Sequence, residues 1–344
     1  FYRIEHQGEI NDNWVLGVDF NGLSDDNYIV DLGSDYYSRA DTHLYRTISL
    51  NYYSKNLLVG MHVKDFEVLG DTAESYRALP ELKVNYQTPW GKYLTFNLDS
   101  ELAYFDSTSE SAPKATRFHV APTVALPLRS AWGEFVAETS LLQTIYKQEN
   151  IQDTDLSEDV TRTLGQARLF GALYFEKDEA WFNKDMSMTL EPKIQYLYTS
   201  YEDQTDIGQY DSTPLLTDVE GLFRGQEFTG LDRISDNNQI TLGLTTRMLD
   251  KNNREQFVLS VGQIFYLEDN KVVAATKNQD RSALAAEVDW RLNKRWYLHS
   301  DVQVTTDTDK VDLSSTGIEY RKDAARFIQL SHRYVRDLSG ETID

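Results

Sequence analysis

Apolar and polar residues alternate with a period of two along most of this chain. In Trp14-Val15-Leu16-Gly17-Val18-Asp19-Phe20 the even positions are apolar and the odd ones mostly small or polar. The same alternation runs through Leu57, Val59, Met61 and Val63, through Leu94, Phe96 and Leu98, and through Phe118, Val120, Pro122, Val124 and Leu126. It returns at Ile240, Leu242 and Leu244 and at Leu284, Ala286, Val288 and Trp290. Successive side chains of a strand point to opposite faces, so these segments are strands with one greasy and one polar face. The pattern predicts about 16 strands, over 1–9, 13–22, 43–54, 56–67, 76–87, 92–105, 116–129, 133–147, 163–177, 187–199, 239–249, 255–267, 282–292, 296–306, 312–321 and 326–336. Many exceed the roughly 5–6 residues usual in soluble sheets and approach the roughly 9–11 that cross a bilayer obliquely.

The connectors sort by length. Short ones fall at Ile10–Asn13, Lys55, Thr88–Gly91, Ser130–Trp132, Lys177–Met186, Asp250–Arg254, Asn293–Arg295 and Lys322–Ala325. Between them lie the longer 23–42, 68–75, 106–115, 148–162, 200–238, 268–281 and the modest 307–311. Every hairpin reverses direction, so all short turns share one rim and all long loops the other. That is the habit of an outer-membrane barrel, with short periplasmic turns and long extracellular loops. Trp14, Trp90, Trp132, Trp181, Trp290 and Trp296 all lie at or near short connectors and are read as an aromatic girdle on that rim. Tyr76, Tyr104, Tyr146, Tyr198 and Tyr266, near the long loops, are candidates for the opposite girdle. The competing reading is a soluble barrel capped by Trp.

Composition alone suggests something else. The 344 residues carry 34 basic and 55 acidic side chains, a formal net charge of −21, and no Cys. Mean hydropathy is −0.52. No run approaches the ~18 apolar residues of a membrane helix, and Phe1-Tyr2-Arg3-Ile4-Glu5 lacks a signal-peptide pattern. The acidic balance argues against nucleic acid as a partner. A wide barrel reconciles these figures, because only alternate strand residues face lipid and the others face water.

Catalytic and metal chemistry is not evident, so the chain is read as no enzyme, with no cofactor and no metal. His6, His43, His62, His119, His299 and His332 are scattered without a ligand spacing and read as solvated residues. No nucleophile elbow, phosphate loop or dinucleotide fingerprint occurs. Asp203, Asp206 and Asp211 fit no cation loop and read as a solvated acidic loop. Glu101 and Asp99 share a strand face that is expected to line the lumen.

Segment 200–238 is the least generic part. Structureless loops of this length are uncommon unless functional or packed on something. Its apolar residues Leu222, Phe223, Phe228, Leu231 and Ile234 suit packing rather than solvent, so it is expected to fold back into the barrel or onto a partner. Gly221, Gly225 and Gly230 permit tight turns. The run Leu222-Phe223-Arg224, then Phe228-Thr229-Gly230-Leu231-Asp232-Arg233-Ile234, then the strand Ile240–Arg247, resembles the LptD family of lipopolysaccharide-assembly barrels. Ala115-Thr116-Arg117-Phe118-His119-Val120-Ala121-Pro122-Thr123, Leu190–Tyr198, Ser260–Tyr266 and Ile318–Arg321 agree with it.

The resemblance implies a multi-pass barrel in the Gram-negative outer membrane that assembles lipopolysaccharide into the outer leaflet. It implies an LptE-like plug lipoprotein in the lumen, an LptA-like periplasmic bridge, and a parent barrel of 26 strands. Residues 1–344 would then be the middle of that barrel, without the N-terminal periplasmic domain and the terminal strands. Leu222, Phe223, Phe228 and Leu231 are the candidate plug contacts, and Arg224, Gly230, Asp232 and Arg233 the candidates for ordering the loop. A general porin or channel, an outer-membrane lipid hydrolase and a soluble carbohydrate-binding β protein are the alternatives.

Overall fold

Among the described residues strand after strand pairs antiparallel with its predecessor, Phe175–Trp181 excepted, building one 17-stranded sheet that forms a β-barrel segment. The computed structural model describes residues 2–23, 43–68, 76–152, 154–181, 184–215, 218–272, 279–306, 310–323 and 325–336, with the backbone only at 68, 179–181 and 184–185. The first half holds β1 (Tyr2–Asn11), β2 (Trp14–Gly22), β3 (His43–Tyr53), β4 (Leu57–Val68), β5 (Tyr76–Trp90), β6 (Leu94–Ser107), β7 (Lys114–Ser130) and β8 (Gly133–Glu149). It continues with β9 (Asp159–Leu173), β10 (Phe175–Trp181), β11 (Lys184–Thr199), β12 (Asn237–Leu249) and β13 (Glu255–Tyr266). The last four are β14 (Leu284–Arg291), β15 (Trp296–Thr305), β16 (Lys310–Asp323) and β17 (Arg326–Val335).

The count exceeds the expected sixteen because one strand is interrupted. β9 and β10 both pair with β11, as Ala172↔Lys193 and Phe175↔Leu190, so they continue one ladder across a break at Tyr174. The Tyr174 N–H instead donates to the Trp132 carbonyl at the neighbouring turn, 2.9 Å away. The connector expected at Lys177–Met186 is therefore mostly strand, with β10 and β11 paired as far as Trp181↔Lys184. Elsewhere short and long connectors alternate as the sequence predicts, with short ones at 54–56, 91–93, 131–132, 250–254 and 292–295, except that the expected longer connector 306–309 is no longer than 292–295.

Cross-strand register sorts the two faces. Leu102, Phe118, Ile145, Ile194 and Leu242 all lie on one face and remain exposed despite being apolar. Their alternates Glu101, Arg117, Thr144, Gln195 and Thr241 are buried and polar. This inverts the arrangement of a soluble sandwich. It is the polarity of a barrel wall with lipid outside and water or polar protein inside. The polar side is buried because segment 200–236 lies against it.

Register also corrects part of the Tyr reading. Tyr146 pairs with Arg117, so it faces inward and is fully buried, while Tyr76 packs against Tyr210 of the long loop with ring centroids 5.0 Å apart. Tyr198 keeps an outward position on β11 and is exposed.

Candidate functional site

The long loop first folds on itself. The N–H of Thr229 donates to the Thr213 carbonyl and that of Leu215 to the Glu227 carbonyl, both at 2.8 Å, so 211–215 and 227–232 run side by side. Gly230 makes the close approach between them. Its φ is +61°, and a Cβ there would lie 2.0 Å from Asp211 Oδ1, so both backbone conformation and space demand glycine. The Ser212 hydroxyl accepts the N–H groups of Asp232 and Arg233 at 2.9 and 3.1 Å. The Asp232 carboxylate accepts those of Tyr210 and Asp211, each at 2.7 Å.

The folded loop is then held to the inner wall at two places. The first lies on β6–β9 and is polar. Arg117 of β7 donates to Glu101 of β6 at 2.6 Å and to the loop's Asp211 and Asp232 at 2.5 and 2.7 Å. Its guanidinium also lies 4.6 Å from the Phe105 ring centroid. Tyr146 of β8 donates to Asp232 Oδ1 at 3.1 Å. Arg162 of β9 donates to the Leu231 and Asp232 carbonyls at 2.6 and 2.9 Å, to Gln204 at 2.9 Å and to the Thr144 hydroxyl at 3.0 Å. Gln148 gives its N–H groups to the Ser157 and Asp206 carbonyls and accepts from Gly208 N and the Tyr210 hydroxyl. Around this network Ala103, Phe105, Ala115, Val160, Ile207 and Tyr210 form an apolar core that excludes water.

Burial opposes the charge of Asp211, but the hydrogen bonds and field of Arg117 outweigh it and hold that carboxyl below the usual range. Asp232 lies deeper. Burial, helped by the charge of Asp211, pushes it above its usual value against the pull of Arg117. One buried arginine thus faces three carboxylates, in a setting where deleting one partner is far more costly than deleting a surface pair.

The second contact is apolar. The 3-10 turn Gly221–Phe223 seats on a notch in the wall where two glycines, Gly243 of β12 and Gly262 of β13, are cross-strand partners. A Cβ on Gly243 would come 2.7 Å from the Phe223 ring, and one on Gly262 2.8 Å from Leu222 Cδ1. Leu222 is buried with Val219, Ile264 and Ala285, which contributes about 2 kcal/mol. Phe223 meets Phe170 edge-on, centroids 6.0 Å apart.

The other residues singled out from sequence are placed as follows. Arg224 lies 3.7 Å from Asp218, and Phe228 forms an isolated bridge with Pro214. Leu231 is half-buried and serves through its carbonyl, while Arg233 donates to the Ile207 and Asp232 carbonyls at 2.8 and 3.2 Å. Trp90, Trp132, Trp290 and Trp296 are exposed at the short-turn rim, and Trp14 packs against Tyr52 there. Trp181 is a strand terminus on that rim, and its side chain lies outside the described residues.

Sequence reading missed the wall side of the clamp: Arg117, Tyr146, Gln148 and Arg162. The available signal was a row of inward positions on β7 to β9 carrying Arg, Gln and Tyr. It also misjudged acids and histidines. Asp211 is paired rather than solvated, whereas Asp203 only caps its own turn through Thr205. His62 faces Glu81 at 3.3 Å, and His119 faces Thr144 at 2.9 Å. His299 lies between Asp289 and Asp301, 2.8 Å from each. Among the described residues Glu287, Asp289 and His299 bring ligand atoms within 4.8 Å of one another, the one grouping of metal-ligand type. Nearby, the inner wall encloses a cavity of about 540 Å³ between paired charges: Arg168 with Glu138 at 2.9 Å, and Arg247 with Glu191 and Glu255 at 3.2 and 2.6 Å.

The family described as LptD, LPS transport system D, matches residues 1–342. An LPS-assembly protein LptD of Pseudoalteromonas atlantica is 62% identical over 343 residues, which is 100% of this chain and 45% of that protein. One of Shewanella frigidimarina is 41% identical, covering 98% of this chain and 45% of that protein. The chain therefore spans about half the length of these relatives. Among solved structures, the siderophore receptor PirA of Pseudomonas aeruginosa aligns over 94% of this chain and 64% of its own, with a TM-score of 0.48 and 8% identity.

Proposed function

Because the chain belongs to the LptD family, we propose that it forms part of an outer-membrane barrel that assembles lipopolysaccharide into the outer leaflet. The observation that supports this most is the division of the sheet's faces. Leu102, Phe118, Ile145, Ile194 and Leu242 offer lipid an apolar surface, and the Trp residues of the short-turn rim suit a membrane interface. The inner face is polar, as the passage of a saccharide through a lumen requires. The acyl chains of the same molecule take a separate apolar route.

In this reading an LptE-like lipoprotein occupies the lumen and an LptA-like bridge delivers the lipid from the periplasm. Asp232 and Arg233 order the loop, whereas the accessible parts of Phe223 and Phe228 are the contacts offered to the plug. The role is transport rather than catalysis. The test is to deplete the full-length protein in its host and to purify it from undepleted cells. Loss of newly made lipopolysaccharide from the cell surface and co-purification of a stoichiometric lipoprotein are expected. Unchanged surface lipopolysaccharide after depletion overturns the reading.

A further inference from the structure

Between the loop and the inner face of β11–β16 lies a second cavity, of about 520 Å³. That is within the range of roughly 300–1,000 Å³ usual for small-molecule sites. Its walls are of two kinds. Leu215, Leu222, Phe228 and Tyr266 are apolar or aromatic, and Glu227, Asn237 and Gln239 are polar.

The polar wall is incompletely satisfied. Asn237 and Gln239 begin β12 at inward positions, and both are more than nine-tenths buried. Yet Asn237 Oδ1 and Gln239 Oε1 have no hydrogen-bond partner among the described residues. Asn237 gives its N–H to the Ser235 carbonyl at 3.0 Å, which fixes its orientation and leaves the oxygen over. Leaving a buried acceptor unpaired costs about 1–3 kcal/mol. Such a group in a native protein calls for an explanation, one of which is a partner that is not part of the chain. Glu227 faces the same space, with the Ser235 hydroxyl 3.3 Å from its carboxylate. Burial raises this carboxyl to about 7, so near neutrality it both donates and accepts.

These features select the ligand's chemistry. A purely apolar ligand would leave the two amide oxygens buried and unpaired. An anion would meet Glu227 and Asp312, while the guanidiniums beside this space already face carboxylates, Arg336 at 3.1 Å from Asp312 and the lining Arg224 at 3.7 Å from Asp218. A neutral, polyhydroxylated ring supplies donors for the amide oxygens, exchanges hydrogen bonds with a carboxyl, and lays its C–H faces on Phe228 and Tyr266.

We propose that this cavity is a carbohydrate subsite in which sugar hydroxyls donate to Asn237 and Gln239 and pair with Glu227, against the apolar wall of Phe228 and Tyr266. The inference deepens the transport reading and rests on it for the source of the sugar, the saccharide part of a lipopolysaccharide in transit. The docked loop supplies Glu227 and Phe228, so the site exists only while the loop is seated.

Saturation-transfer NMR on the detergent-solubilised full-length protein tests this. The probe is the core oligosaccharide released from the host's lipopolysaccharide by mild acid, with spermidine as a cationic comparison. Transfer to the oligosaccharide is expected, weakened at least about fivefold in Gln239→Leu and in Asn237→Leu. Retention of heat-modifiable migration by both variants shows that the barrel persists. The proposal is overturned by absence of transfer with the native protein, by unchanged binding in both variants, or by displacement of the oligosaccharide by spermidine, which marks a cation site. Loss of surface lipopolysaccharide on depletion without oligosaccharide binding would refute the subsite and leave the transport reading standing. Binding with unchanged surface lipopolysaccharide would do the reverse.

Discussion

Arg117 of β7 and Asp232 of the long loop, 115 residues apart in the chain, meet at 2.7 Å with both side chains fully out of solvent. This pair fixes the loop to the wall, because Asp232 also holds the loop's own backbone at Tyr210 and Asp211.

Arg117→Ala leaves Glu101, Asp211 and Asp232 facing one another without their common cation. Undocking of the loop's polar end is expected, at a cost of about 3–5 kcal/mol. Hydrogen exchange of the amides of residues 210–212 and 231–234 checks it. They should lose protection while those of β6 and β7 keep theirs. Arg117→Lys should restore little, because a single ammonium cannot reproduce the fork that reaches three carboxylates.

The glycine notch predicts an independent effect at the loop's other contact. Gly243→Val or Gly262→Val drives a side chain into the space of Phe223 or Leu222. Ejection of the Gly221–Phe223 turn should cost about 2 kcal/mol. Limited proteolysis should then cut near residues 218–224 with the Arg117 contact intact. Resistance equal to the native protein would refute the seating.

Glu227 makes docking depend on pH. Its carboxyl is raised from 4.5 in the unfolded reference to about 7 when buried. A raised acid binds its proton more tightly in the docked state, so the contribution is fully present below pH 4.5 and is lost as pH rises through 7. The difference across that window is roughly 3 kcal/mol. Hydrogen exchange at residues 226–228 should therefore be faster at pH 8 than at pH 5.5, after correction for intrinsic rates. Glu227→Gln should remove the difference.

Topology can be checked on intact cells of the host. A cysteine at Ser157 lies in an exposed long connector and should react with an impermeant maleimide. Cysteines at Lys55 and Asn293, in short turns, should not react until the outer membrane is opened. The opposite pattern would invert the barrel.

Much of the scaffold was legible from residues alone because a strand's two faces have strict period two. A lipid-facing row such as Phe118, Val120, Val124 and Leu126 cannot be polar without cost, so the alternation reports the wall. Antiparallel reversal then sorts the connectors onto two rims without further information. The break at Tyr174 was not legible, because it depends on a hydrogen bond to Trp132 from a neighbouring strand. Nor was the inward turn of Tyr146, where one register position separates the outer girdle from the buried clamp.

The fold class, the two-sided wall and the existence of a loop too apolar to hang in water are all readable in the residues. Those properties follow from local periodicity and composition, and each is repeated over many residues. What the loop grips emerges only in three dimensions. Arg117, Arg162 and Tyr146 look like ordinary lumen residues until the curling of the sheet brings them to Asp211, Asp232 and the Leu231 carbonyl. Whether a carboxylate is solvated or clamped depends on which distant charge the fold places beside it, and that has no local signature. The unpaired oxygens of Asn237 and Gln239 become visible the same way, once the fold has buried both side chains.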